Sequence, residues 1–518
     1  MDDKPQETGG GDETRRQDEI RGRVGRGRRM RFGSAAAGCA VLGGVLVLLP
    51  WGHRADGPPE PAPGARAQAV VAGARAQAAV AGGVPASLPD LEVLVEERER
   101  HLKEHPKDAE SWAVLGAARL EQGRRLADPA RYSRAEQALR TSLKVRPRGN
   151  AEALRGLAAL ANARRDHPAA LEWGERALKL EPKRWTTYPP LVEAYAGLGD
   201  GEAAGKMLDR LKALRSDPAV MARAAAVYRD KGRQEDAAAQ LADAAAAAGE
   251  PAERASYLEQ AGQLAWERGD REDALRHFQE AVRIDPDQRA AQVGQGRALV
   301  ALGRTTEALS AYRAALARQP LPEYALELGE LYESLGLRQA ARVHYDLLRS
   351  LVREAAAHGV GGDLVLGRFE ADHGDPRAAV RRLRTEWERQ PSTAVADALG
   401  WALHRSGRSE EALEFAVRAT EETHGGGVRS ALHAFHRGMI ELELGRGGSP
   451  LLVGVPPVRA EPGTRGRSRE LGGGPARRHL REALRINPYF SPLRVPQAKA
   501  ALERLGEPPV GDGPPDWS

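Results

Sequence analysis

The sequence predicts an all-α solenoid of about ten helix-turn-helix units, and two periodic series in fixed register carry that prediction. Alanine recurs at Ala135, Ala170, Ala204, Ala237, Ala274, Ala308, Ala341, Ala379 and Ala412, with spacings between 33 and 38 residues. Glycine recurs at Gly199, Gly232, Gly269, Gly303, Gly336, Gly374, Gly407 and Gly445, each four or five residues ahead of one of those alanines or, at the end, of an interrupted unit. Such an array presents an extended surface rather than a catalytic pocket, because each unit buries its apolar face only against its neighbours.

The elements run in order from the amino terminus. Residues 1–32 read as a disordered basic cytoplasmic tail, with Arg21, Arg23, Arg26, Arg28, Arg29 and Arg31 unbroken by any acid. Residues 33–51 come next without a charge, near the lower length limit for a membrane-spanning helix. Arginines before an apolar run keep the amino terminus inside and export the downstream chain. The expected topology is therefore single-pass, with the array outside the cell membrane. A cleaved signal peptide is the alternative, since Ala65-Arg66-Ala67 and Ala67-Gln68-Ala69 have the form of cleavage sites and Met30 offers a second start. Cys39 is the sole cysteine, so no intramolecular disulfide can form.

Residues 52–89 are rich in alanine, proline and glycine and are expected to form a flexible linker. A capping helix over 90–106 should then close the open end of the array, which occupies 107–490. In the unit Arg289–Pro320, Gly296 and Leu299 lie on the first helix and Gly303 makes the turn. Ala308, Tyr312 and Ala315 share one face of the second helix, and Pro320 ends it. The alanine is small where the two helices approach, and the glycine supplies the left-handed residue of a helix stop. In the last unit, a glycine-, proline- and arginine-rich insertion over 446–475 separates the helices. Residues 491–518 supply a carboxy-terminal capping helix and tail.

These residues resemble the tetratricopeptide repeat (TPR). Trp112, Leu115, Gly116, Ala135, Leu139 and Pro147 fit its consensus, as do Ala274, Phe278, Ala281 and Pro286, and Leu328, Gly329, Tyr332, Gly336, Ala341 and Tyr345. The resemblance implies a right-handed superhelix whose concave face, lined by the first helices, takes protein or peptide partners. It implies groove positions at Ala117, Ala159, Glu193, Ala226, Gln263, Arg297, Glu330, Arg368, Trp401 and Met439. The lysine–asparagine clamp by which some members hold a terminal carboxylate is missing from them. Four segments, Phe369–Pro376, Asp397–Gly407, His436–Ile440 and Leu484–Pro492, are similar to a group of exported bacterial TPR proteins of unassigned activity.

Little else in the chain suggests chemistry. His424–Gly427 resembles an oxyanion loop but has no G-x-S-x-G elbow, so it reads as a linker. His101 and His105, and His433 and His436, are spaced to share a helix face but have no evident third metal ligand. No P-loop or dinucleotide loop is present. No catalytic, cofactor or metal residue is expected, and the chain reads as non-enzymatic. A net charge of +5 spread over 518 residues argues against nucleic acid, which needs a focused basic patch.

The expected function is a membrane-tethered scaffold for a protein or peptide partner, with Trp401, His404, Phe435, Met439 and Leu442 as an exposed candidate strip. The competing reading makes Phe435, Met439 and Leu442 the core of a rotated helix. The alternatives in function are a structural spacer or self-associating array, and an accessory subunit of an envelope or secretion complex. An apolar concave surface would favour partner binding and an evenly charged one the spacer.

Overall fold

The computed structural model describes residues 63–421, 429–446 and 474–508. The expected cytoplasmic tail, the transmembrane or signal-anchor helix over 33–51, the linker at His424–Gly427, nearly all of the insertion and the final tail lie outside the described residues. Among the described residues, no helix is long and apolar enough to cross a membrane.

Among the described residues ten helix pairs succeed one another, in line with the two periodic series. They are α3 (Ala109–Leu126) with α4 (Pro129–Val145), α5 (Ala151–Ala163) with α6 (His167–Leu180), and α7 (Tyr188–Gly197) with α8 (Gly201–Leu214). Next come α9 (Pro218–Asp230) with α10 (Gln234–Ala247), α11 (Pro251–Glu267) with α12 (Arg271–Ile284), and α13 (Arg289–Ala301) with α14 (Thr305–Arg318). The series ends with α15 (Pro322–Ser334) and α16 (Arg338–Ala357), α17 (Asp363–His373) and α18 (Pro376–Arg389), α19 (Thr393–Arg405) and α20 (Ser409–Thr420), and α21 (Ala431–Arg446) and α22 (Gly474–Ile486). The cap α23 spans Arg494–Arg504.

Local chemistry sets the boundaries. Asp108 accepts hydrogen bonds from the backbone N–H groups of Glu110 and Ser111 at 3.0 and 3.1 Å, and Asn150, Asp200 and Ser392 cap their helices in the same way. The turn glycines adopt the left-handed conformation, with φ of 74° at Gly303. Gly374 departs from the pattern, with φ −136°, and Gly445, expected to make the last turn, lies instead within the helix Ala431–Arg446. The first two units lack a turn glycine because Ala127 and Arg165 hold the left-handed position, at φ 50° and 59°.

Within each pair the small residues permit close approach. Ala308 is fully buried, and a Cβ on Gly296 would lie 2.5 Å from the Tyr312 ring. The same relation joins Gly116 to Leu139, Gly262 to Phe278 and Gly329 to Tyr345. First helices of successive pairs also touch one another, as α3 does α5, α5 does α7, α17 does α19 and α19 does α21. That places the first helices on the inner wall.

The coil is tight enough for its turns to meet. Arg125 pairs with Asp285 at 2.6 Å, and Gln319 donates to the Arg124 carbonyl at 3.0 Å. Gly361 N–H donates to the Arg164 carbonyl at 2.8 Å, and Arg165 pairs with Glu323. The turn of one unit thus meets the junction between units roughly five repeats later.

The linker expected over 52–89 is corrected by α1 (Pro63–Gly82), which packs on α2 (Leu88–Glu104). Prolines flank this stretch but do not interrupt it after Pro63, and alanine is the strongest helix former. Ala76 is buried, Arg75 pairs with Asp90, and Gly83 accepts a hydrogen bond from Arg223 at 2.9 Å. The amino-terminal cap is therefore two helices rather than one.

Candidate functional site

Six of the ten expected groove positions line two cavities on the inner wall, whereas Met439 packs against the core. Ala117, Ala159 and Glu193 line a cavity beneath α1, bounded by α3, α5 and α7. Glu330, Arg368 and Trp401 line a second cavity of ≈ 460 Å³. Its wall comes from α15, α17, α19 and α21, with Arg165 from an earlier turn of the coil, Phe490 and Ser491 from the segment leading into α23, and Arg494 from the start of that helix.

The candidate strip is not exposed. Phe435 is fully buried, Trp401 and Leu442 are 4% and 7% exposed, and Met439 and His404 are half-buried. The physical reason is the chain's own carboxy-terminal segment, which folds over them. The Phe490 ring lies 5.7 Å from Phe435, and the Arg494 guanidinium lies 5.7 Å from the Trp401 ring centre while pairing with Asp372. Phe435, Leu442 and Trp401 belong to the core, and Trp401 alone of the strip also faces the cavity.

Around Trp401 a polar cluster assembles. Its indole N–H donates to Asp372 at 2.9 Å, and its ring stacks on His436 with centroids 4.2 Å apart. The Nδ1 of His436 meets Asp397 at 2.9 Å, and His433 Nε2 lies 3.7 Å from the same carboxylate. Burial opposes ionisation of Asp397, but the two imidazoles and the Arg368 charge hold it well below the usual carboxylate range. Burial also pushes His433 down, against the pull of Asp397. His404 is pushed down to about 4, chiefly by burial. Among the described residues, no group of three or more is arranged to hold a metal.

The remaining charges mostly satisfy each other. Arg297 binds Glu327 through two 2.8 Å contacts and takes Gln263 at 2.6 Å, and His373 lies between Glu330 and Glu333. Arg368 differs. Among the described residues it has no hydrogen-bond or ion-pair partner, and its Nε is buried. Burial pushes its pKa down, while Asp397 and Glu323 pull it up from a distance. The second oxygen of Glu323, Oε2, is likewise buried without a hydrogen bond.

The four segments similar to exported bacterial TPR proteins converge on this cavity. They supply Asp372, Trp401, His436, Phe490 and Ser491 to its wall. Repeat periodicity could not reveal this, because Phe490 and Arg494 lie after the last repeat and Arg165 comes from another turn. Arg368 was identifiable only as one groove position among ten.

Tandem helical hairpins with glycine turns, stacked through small residues, define a helical-repeat protein. A sequence profile of the tetratricopeptide repeat matches residues 120–184, 259–321 and 293–356, so the chain carries tetratricopeptide repeats there. A comparison with curated proteins found no match. Among solved structures, the human IFIT1 dimer with PPP-AAAA is 18% identical, covering 64% of this chain and 78% of its own at a TM-score of 0.41. The Cut9 and Hcn1 hetero-tetramer of the APC/C is 14% identical, covering 81% and 82% at 0.37. Pseudomonas aeruginosa PilF is 18% identical, covering 40% and 95% at 0.32. Similarity at this level carries nothing about ligands.

Proposed function

We propose that the protein is a non-enzymatic scaffold, tethered to the outer side of a bacterial cytoplasmic membrane, whose inner wall takes a protein or peptide partner. The observation that supports this most is the ≈ 460 Å³ cavity on the first-helix wall, with an aromatic side and a guanidinium, that of Arg368, that has no partner among the described residues. Tethering rests on the arginines before the uncharged residues 33–51.

The spacer reading draws on the paired charges, since Arg297–Glu327 and Arg494–Asp372 leave those groups with no need of a ligand. It does not account for Arg368. Burying a charged group without a partner is costly, and a fold that needed only rigidity would gain by pairing or replacing it.

Site-specific photocrosslinking in the native envelope tests the binding reading. A benzophenone at Leu326, on the cavity wall, should yield a discrete protein adduct; one at the exposed Val343 on α16 should not. Equal adducts at both positions, or none at Leu326, would overturn it. Protease added to spheroplasts should digest the array and leave a small membrane-bound fragment. Protected repeats would refute the topology.

A further inference from the structure

We infer that the cavity around Arg368 is a recognition site for an acidic peptide side chain, with Arg368 binding the carboxylate and Trp401 and Phe490 forming an apolar wall beside it. This rests on the partner-binding reading above and names the ligand chemistry of the same wall.

Charge accounting around the cavity leads to this class of ligand. Arg165 is engaged by Glu323, Arg494 by Asp372, and His436 by Asp397. Glu327 is held by Arg297, and Glu330 faces His373. Among the described residues that line the cavity, one guanidinium, that of Arg368, is left, with its planar donors beside a space large enough for several side-chain atoms. A guanidinium matches a carboxylate by two parallel hydrogen bonds, and in a buried setting a full negative charge answers it better than a neutral carbonyl does.

The surroundings select within the class of anions. Glu323, Glu327, Glu330 and Asp372 all line the same cavity, so a doubly charged phosphate would meet four carboxylates. A single negative charge fits one free cation. The unpaired Oε2 of Glu323 asks in turn for a donor, which the backbone N–H of a peptide supplies. Trp401 and Phe490 offer apolar contact to a neighbouring side chain of that peptide. Because the carboxylate is carried by a side chain, the site does not depend on a free chain terminus.

The test is a positional-scanning array of nonapeptides with amidated carboxyl ends, probed with the intact protein. The array compares Asp and Glu with Asn, Gln and phosphoserine at each position. Expected is a set of bound peptides that lose at least tenfold in affinity when one Asp or Glu becomes Asn or Gln. In Arg368→Gln that discrimination should vanish, and in Arg368→Lys it should persist with weaker binding. Peptides bound equally with Asp or Asn, or better with phosphoserine, would overturn the acidic site and leave the partner-binding reading standing. Binding of no peptide at all would refute both. The comparison within the unaltered protein decides the matter even if Arg368→Gln does not fold.

Discussion

The side-chain amide of Asn487 donates a 2.7 Å hydrogen bond to the backbone carbonyl of Trp266, joining residues 221 apart in sequence. Asn487 is 2% exposed and sits directly after the last repeat helix, against the turn at Gly269. One side chain thus fastens the end of the array to its fifth repeat.

Replacement of that amide exposes how much the tie contributes. Asn487→Ala removes this bond while the Gly269 N–H still donates to the same carbonyl at 3.0 Å, so the loss should be about 0.5–1.5 kcal/mol, that of one hydrogen bond. Hydrogen exchange should rise both at 264–270 and at 487–494. A rise confined to the carboxy-terminal segment would show that the two regions are not coupled.

The helix approach in the sixth repeat predicts a steric penalty. Gly296→Ala places a methyl 2.5 Å from the Tyr312 ring. Alanine gains up to about 1 kcal/mol in helix propensity over glycine, so a net loss means that overpacking dominates. A net destabilisation of roughly 1–2 kcal/mol is expected, read by denaturant titration. A stabilised variant would contradict the packing.

The burial of the candidate strip predicts a stability phenotype. Phe435→Ala should cost about 3–5 kcal/mol, as large-to-small changes at fully buried aromatics do. Trp401→Ala loses both its packing and the bond to Asp372 and should also lower the melting temperature. Unchanged melting in the double variant would restore the exposed strip.

His404 predicts a pH dependence with a definite sign. Its folded pKa of about 4 lies below the ordinary value of 6.5, so between those values the unfolded chain binds more protons. The stabilisation is complete above about pH 6.5 and is lost as pH falls toward 4. The groups that act on it are Glu443, which raises its pKa, and Arg405 and His436, which lower it. His404→Gln should flatten the melting curve against pH across that window, while His433 preserves part of the slope in the same direction.

Much of the architecture was legible because each repeat is a local object. Ala308, Gly303 and Tyr312 lie within ten residues of each other and determine one another's places. The helical α1 was obscured by the flanking prolines, although its alanine content spoke for a helix. The candidate strip misleads for a different reason. Trp401 and Phe435 do lie on adjacent first helices, but Phe490 and Arg494, which cover them, approach through the coil's own tertiary course. No periodicity within a repeat encodes that approach, and the same holds for Arg165 at the Arg368 cavity.

The contacts between turns alter how such a chain assembles. A stack coupled only to its neighbours can melt from either end and nucleate anywhere. Here Arg125 with Asp285, Arg165 with Glu323 and Asn487 with Trp266 span 158 to 221 residues, and each closes a loop. Loop closure costs entropy before any of these contacts forms, so the barrier to folding rises with such distant pairings. Once closed, the loops deny the terminal repeats an independent route to unravel. The array should then unfold in fewer and sharper steps than its repeat count implies, and refold more slowly than an open stack of equal length.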